Sequence, residues 1–290
     1  MSKNGYEKVF TIVFGDLHLG DEGFREDLWM SSVRKWINLI YDHNPDKIII
    51  INIGDTVVGS NIYRNQEVES IVTKTTWQVS VATELMLELI EQIRSISRSP
   101  ISMYIFMGNH DKTRTSNLAI ELQKELRAWC KELNFNVYYK SFVATIDIGP
   151  KNQSFKLLCF HGRGSSKIYP VSPSAIRDVQ NYLLQTGKSV DAIITGHNHW
   201  FSSIRFQWGK NNGIMWYTVG AYQTYNSEQR QQKFGVSNLP HGNWCFINGK
   251  EIPVVPKEKE IKCLEFKNYD VMGDYFKRYM KRLKESGFVE

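Results

Sequence analysis

Asn109, His110 and Asp111 can each hold a metal or a phosphate, and they follow a glycine at the end of an apolar, β-favouring run, residues 101–107. The arrangement recurs. Residues 11–14 run into Gly15-Asp16-Leu17-His18, and residues 48–53 into Gly54-Asp55. Residues 155–160 run into His161-Gly162, and residues 191–195 into Gly196-His197-Asn198-His199. Runs of this composition read as buried strands. The C-terminal ends of strands in open α/β folds are where ligands sit. Five exits carrying Asp, Asn or His therefore predict one shared site. Of the seven histidines, five (His18, His110, His161, His197 and His199) lie just beyond these runs. Any one alone reads well as a structural histidine. All five together, with Asp16, Asp55 and Asn109, need partners, and a metal pair supplies them at once. His43 reads as a helix-end surface residue and His241 as a loop residue.

Oxygen and imidazole ligands without thiolate suit Mn²⁺, Fe, Zn²⁺, Co²⁺ or Ni²⁺ better than Ca²⁺. The groups are too many for one ion. They suit two ions about 3.5–4 Å apart that share a carboxylate. Two close cations acidify a water and neutralise phosphoryl oxygens, which is chemistry for in-line attack on a phosphoester. His110 is not required as a ligand, and can touch the phosphoryl group or protonate the leaving oxygen. Asp111 either orients and charge-supports His110 or caps the turn after its strand.

Helices must alternate with these strands. Leu28, Val33, Trp36, Ile37 and Ile40 mark an apolar stripe over residues 25–41, ended by Asn44-Pro45. Val81, Leu85, Leu89, Ile93 and Ile96 repeat at helical spacing in a helix expected over residues 67–97. At 1.5 Å per residue it would span roughly 45 Å, as an ordinary packed helix with an overhang or as one that also carries a homodimer surface. Residues 117–133 and 175–184 are also helical in pattern. Residues 137–148 and 155–160 read as a hairpin, as do 201–208 and 214–219. Residues 223–240 form a polar, aperiodic loop or flap, and 243–247 and 261–266 are candidate edge strands. Tyr275, Phe276, Tyr279 and Leu283 line one side of a last helix whose other faces are cationic. The expected organisation is a catalytic domain over residues 1–250 and a C-terminal strand plus basic amphipathic helix over 251–290.

An apolar fraction of 42% over 290 residues suits a folded protein with one large core. No run is long enough to span a bilayer, and residues 1–7 lack the apolar core of a signal peptide, so a cytoplasmic protein is expected. Cys130, Cys159, Cys245 and Cys263 are too scattered for a zinc knuckle or disulfide framework. The net charge of +6 and a pI of about 9.0 favour a polyanionic partner, and DNA is the partner expected. Arg163, Lys167, Arg177, Lys112 and Arg114 could line a phosphate track. Trp200, Phe201, Tyr222 and Tyr225 could stack on bases.

Gly15-Asp16-Leu17-His18, Gly54-Asp55, Gly108-Asn109-His110-Asp111, His161-Gly162 and Gly196-His197-Asn198-His199, in this order, resemble the signature of the calcineurin-like metallophosphoesterases. The resemblance spans residues 9–222. It implies a four-layer α/β/β/α fold, two mixed sheets flanked by helices, and a two-metal site. It gives Asp16, His18 and His199 to a first metal, Asn109, His161 and His197 to a second, Asp55 to the bridge, and a proton-donor or phosphate-contact role to His110. The opening Phe14-Gly15-Asp16-Leu17-His18-Leu19-Gly20 is similar to that of the Mre11/SbcD-type DNA nucleases, which implies Mn²⁺ and cleavage of DNA. Thr56-Val57-Val58 after Asp55, and Trp200 after His199, depart from that group. A DNA nuclease, exo- or endo-acting, is therefore the favoured reading. The alternatives are an enzyme for small nucleotides, cyclic nucleotides or phosphomonoesters, a phosphoprotein phosphatase, and a non-catalytic nucleic-acid-binding module.

Overall fold

The structure is a computed structural model that describes residues 8–60, 62, 70–113, 116–149, 154–164, 171–206, 213–223, 241–256 and 267–288. Two mixed sheets stack face to face. One has six strands in the order β11-β10-β1-β2-β3-β4: Lys250–Val254, Asn243–Ile247, Val9–Phe14, Lys47–Asn52, Ile101–Phe106 and Phe135–Lys140. The other has five in the order β5-β6-β7-β9-β8: Val143–Ile148, Phe155–Phe160, Ala192–Thr195, Ile214–Thr218 and Ser202–Phe206.

The unbroken apolar character of β2 follows from this stacking. Ile48 and Ile50 face a core shared with helices α1 (Glu26–His43), α2 (Thr75–Ile96) and α3 (Leu118–Trp129). Ile49 and Ile51 face the second sheet, where they pack with Ile146, Leu157, Ile194 and Tyr217. Alternate residues of one strand thus serve two cores. On the far side of the second sheet, Leu158, Ile193 and Trp216 pack against Ala175 and Val179 of α4 (Pro173–Thr186). A last helix, α5 (Lys267–Glu285), lies along α2. The layers are α/β/β/α, as expected, and no helix among the described residues is long and apolar enough to cross a membrane.

Several expectations are revised. Residues 137–148 are not one strand: the chain leaves the first sheet at Lys140 and enters the second at Val143, so Ser141 and Phe142 link the two layers. β5 and β6 do form the expected antiparallel pair, as do β8 and β9. The strand at 243–247 is interior, because β11 takes the edge beyond it. α2 begins at Thr75 rather than near residue 67, and its 22 residues span about 33 Å. Twelve of those residues are buried, and the helix packs against α1, α3 and α5.

Two cations of the basic tail are spent within the chain. Arg282 forks onto Glu84 and Glu91, and Arg278 pairs with Glu88, all on α2. Residues 224–240 and 257–266, Cys263 and the expected edge strand at 261–266 included, lie outside the described residues. The three described cysteines are free thiols.

Candidate metal centre

Five loops leave the C-terminal ends of β1, β2, β3, β6 and β7 and converge. The backbone shows how tightly. Eight non-glycine residues among those described have positive φ, and five are Asp16, His18, Asp55, His197 and His199. The other three are asparagines, which tolerate this conformation. Strained residues grouped at one site persist only where the surroundings enforce them. Glycines make the close approach feasible. A Cβ on Gly108 would lie 2.1 Å from Asp55 Oδ1, and one on Gly196 would lie 2.4 Å from Asp16 Oδ2.

The structure brings the expected residues together as follows. Asp16, His18 and His199 form one triad whose donor atoms fall within 4.8 Å of one another, and Asp55, His161 and His197 form another. Asp55 lies between the two groups, its Oδ2 3.0 Å from His161 Nε2 and 3.8 Å from His18 Nε2. Asn109 Oδ1 is 3.0 Å from His161 Nε2, so it joins the second group. His18 Nε2 and His199 Nε2 face each other at 3.1 Å, and His197 Nδ1 faces His161 Nε2 at 3.3 Å. A facing imidazole pair can share one proton or one cation. Converging imidazoles and buried carboxylates form a donor set that fits divalent cations. A nitrogen of His110 also lies within 4.8 Å of the His18 and Asp55 donor atoms.

Electrostatics divides these groups. Burial, then the charge of His161, holds His197 down at about 4. Burial holds His199 at about 3. Both are neutral near pH 7, with lone pairs available to a metal. Burial would also strip His161 of its proton, but the Asp55 carboxylate overrides it and lifts the imidazole to about 9. Burial likewise opposes the charge on Asp55, yet His161, His110 and His18 hold that carboxyl well below its ordinary range. Asp16 is raised by burial, an effect that His161 opposes and Asp55 reinforces. A buried group of carboxylates raising one another is relieved by cations.

Backbone carbonyls orient two of the rings. Ile53 O lies 3.1 Å from His161 Nδ1, and Val58 O lies 2.9 Å from His110 Nδ1. A carbonyl only accepts, so both Nδ1 atoms carry hydrogen, and Nε2 is the nitrogen each ring turns to the site. Asp111 caps the turn after its strand through Gly108 N–H and reaches beyond it to the β2 exit. Its carboxylate is fully buried and accepts hydrogen bonds from the N–H groups of Asp55, Thr56, Val57 and Gly108, at 2.8, 3.1, 3.4 and 2.9 Å. It ties the β2 exit to the β3 exit. The His110 ring is oriented by its Nδ1–H bond to the Val58 carbonyl.

Gln78, in the first turn of α2, is a residue that sequence reasoning missed. Its Oε1 accepts from Gly59 N at 2.9 Å, and its Nε2 donates to Gly59 O at 3.1 Å and Val72 O at 2.6 Å. It therefore fixes the segment whose Val58 carbonyl holds His110. A polar residue inside an otherwise apolar helix stripe was the available signal.

The expected substrate contacts are only partly in place. Tyr222 is buried, packed on Trp29 with rings 5.5 Å apart, and Phe201 packs on Trp244 at 4.8 Å. Both rings serve the core rather than a base. Arg163 is paired with Asp178 at 2.5 Å. Trp200 is half-buried, and Lys112 and Arg177 are exposed. Arg114, Lys167 and Tyr225 lie outside the described residues.

Residues 11–212 match the calcineurin-like phosphoesterase family, and the chain belongs to that family. Its ligand clusters in that fold are those of a metal-dependent hydrolase. The chain is similar to the DNA polymerase II small subunits of Methanothermobacter thermautotrophicus and Thermoplasma acidophilum. Identity to the first is 26% over 54% of this chain and 31% of that protein. Identity to the second is 24% over 65% of this chain and 34% of that protein. The chain thus spans about a third of the length of the curated relatives it matches. A metallophosphoesterase structure from Sphaerobacter thermophilus aligns at 12% identity and a TM-score of 0.38, over 93% of this chain and 98% of that one.

Proposed function

We propose that the chain is a two-metal phosphodiester hydrolase whose substrate is DNA, with Mn²⁺ as the favoured metal. The observation that carries the two-metal reading is Asp55, placed between a triad of Asp16, His18 and His199 and a group of Asn109, His161 and His197. When bound, a pair of divalent cations supplies Lewis acidity toward a water and the phosphoryl oxygens.

The chain's own residues do the rest. Asp55 holds both halves in register. Val58 fixes the tautomer of His110, so the imidazole presents Nε2 and, when protonated, can give that proton to the leaving oxygen. Asp111 and Gln78 are positioning residues, holding the loops that carry Asp55 and His110. Support for DNA comes from the net charge of +6 and from similarity to proteins named as DNA polymerase subunits. The basic tail adds little support, because Arg278 and Arg282 are neutralised by α2 glutamates.

A cavity beside Asn109 and His161 favours a second reading, a small nucleotide diester. The test is Mn²⁺-dependent hydrolysis of end-labelled linear DNA, closed circular DNA and bis-p-nitrophenyl phosphate. Cleavage of DNA that disappears in Asp55→Asn is expected. Turnover of the small diester alone would move the substrate to small nucleotides, and turnover of none would end the hydrolase reading.

A further inference from the structure

The cavity next to the second group of ligands has the wrong lining for more phosphate. It encloses about 450 Å³, within the roughly 300–1,000 Å³ usual for small-molecule sites. Asn109 and His161 stand at one side, and Met107, Phe142, Val143, Phe160 and Val179 supply apolar wall. Phe142 is the distinctive member. It sits in the link that carries the chain from one sheet to the other, and it is 61% exposed, although most rings of its size here are buried. Its link is anchored, since Met107 N donates to Ser141 O at 3.1 Å. The ring is thus held beside the loop that presents Asn109. The lining also includes Arg163, whose Nε and Nη2 donate to Asp178 at 2.5 and 2.6 Å. That fork fixes the guanidinium plane and offsets its charge, which suits stacking on a flat ring better than capture of an anion.

An exposed phenyl ring, a salt-bridged guanidinium and apolar walls, all beside phosphate-handling ligands, match a planar heterocycle joined to a phosphate. We propose that this cavity receives the nucleobase of the nucleotide whose phosphate sits at the Asn109–His161 side of the centre. The proposal rests on the phosphodiester reading above. It adds that the enzyme recognises the base next to the scissile bond through stacking, without hydrogen-bond readout of its identity.

The experiment is calorimetric titration of the Mn²⁺-loaded full chain with deoxyadenosine 5′-monophosphate and, separately, with 2-deoxyribose 5-phosphate. The first should bind at least about fivefold more tightly, the lower end of what stacking on one aromatic ring gives. Phe142→Ala should bring the ratio below about twofold while leaving metal content and the affinity for 2-deoxyribose 5-phosphate unchanged. Because Phe142 is largely exposed, its truncation leaves the core intact. Arg163→Ala, at the rim, is a second variant expected to shrink the same ratio. Equal binding of the two ligands by the parent protein overturns the proposal, and so does a ratio that both variants preserve. Turnover of bis-p-nitrophenyl phosphate by the same preparation reports separately on the hydrolase reading. Turnover without base preference keeps the hydrolase and removes the cavity's role. Base preference without turnover does the reverse.

Discussion

The six-stranded sheet brings every oxygen ligand, Asp16, Asp55 and Asn109, whereas the five-stranded sheet brings only imidazoles, His161, His197 and His199. His18 crosses this division, reaching from the first sheet toward His199. The two halves are also braced differently. The oxygen half is tied within its own loops, by four N–H bonds to Asp111 and by Gln78 on Gly59. The imidazole half is anchored across the layers, through His161 on Ile53 O and through His197 N on the Asp16 carboxylate. The buried carboxylates therefore sit on loops tied by several backbone hydrogen bonds, and imidazoles are laid over them by the packing of one sheet on the other. Each ligand group draws on both sheets, and Asp55 lies between the two groups, which are the halves it joins.

Breaking that shared point should cost most. Asp55→Asn is expected to lower turnover by more than the roughly 100-fold that loss of an outer partner costs, with metal content per chain falling as well. Elemental analysis beside kinetics checks this. His110→Ala should lower kcat by about 10²–10⁴-fold, the usual range for a general acid, and leave metal content at the parent level. Equal loss of both would make His110 a ligand.

Gln78→Leu tests the bracing of the oxygen half without touching a ligand. A fall in kcat of about tenfold is expected, with unchanged metal content. Stability should drop by about 1–3 kcal/mol in urea unfolding, because Gly59 N–H is left buried without its acceptor. The smallest effect on activity is expected from Arg282→Ala, on the helical face away from either half. It leaves Glu84, only 3% exposed, without its guanidinium. Stability should fall by about 2–3 kcal/mol, less than for a fully buried pair since Arg282 is partly exposed, at unchanged kcat.

The division of labour between the sheets also explains what could be read in advance. An apolar run ending in Gly and a ligand is a local pattern, so the five strand exits and their residues were legible from the chain alone. Asp111 was not, because four N–H groups from two loops meet on it only after β2 and β3 pair. Gln78 breaks the apolar stripe of α2, but what it holds is visible only once Gly59 is seen beside it. The break at Ser141-Phe142 carries no Gly or Pro, and β-favouring residues continue on both sides. Periodicity therefore joined two strands that belong to different layers. Tyr222 and Phe201 were read as available rings because nothing in sequence shows that Trp29 and Trp244 cover them.

The most direct test of Asp55 as the common point of both halves is electron paramagnetic resonance of the chain titrated with Mn²⁺. At two equivalents the account predicts an exchange-coupled spectrum, which Asp55→Asn converts to the six-line signal of isolated ions. One ion per chain, or two ions that remain uncoupled in the parent protein, would contradict it.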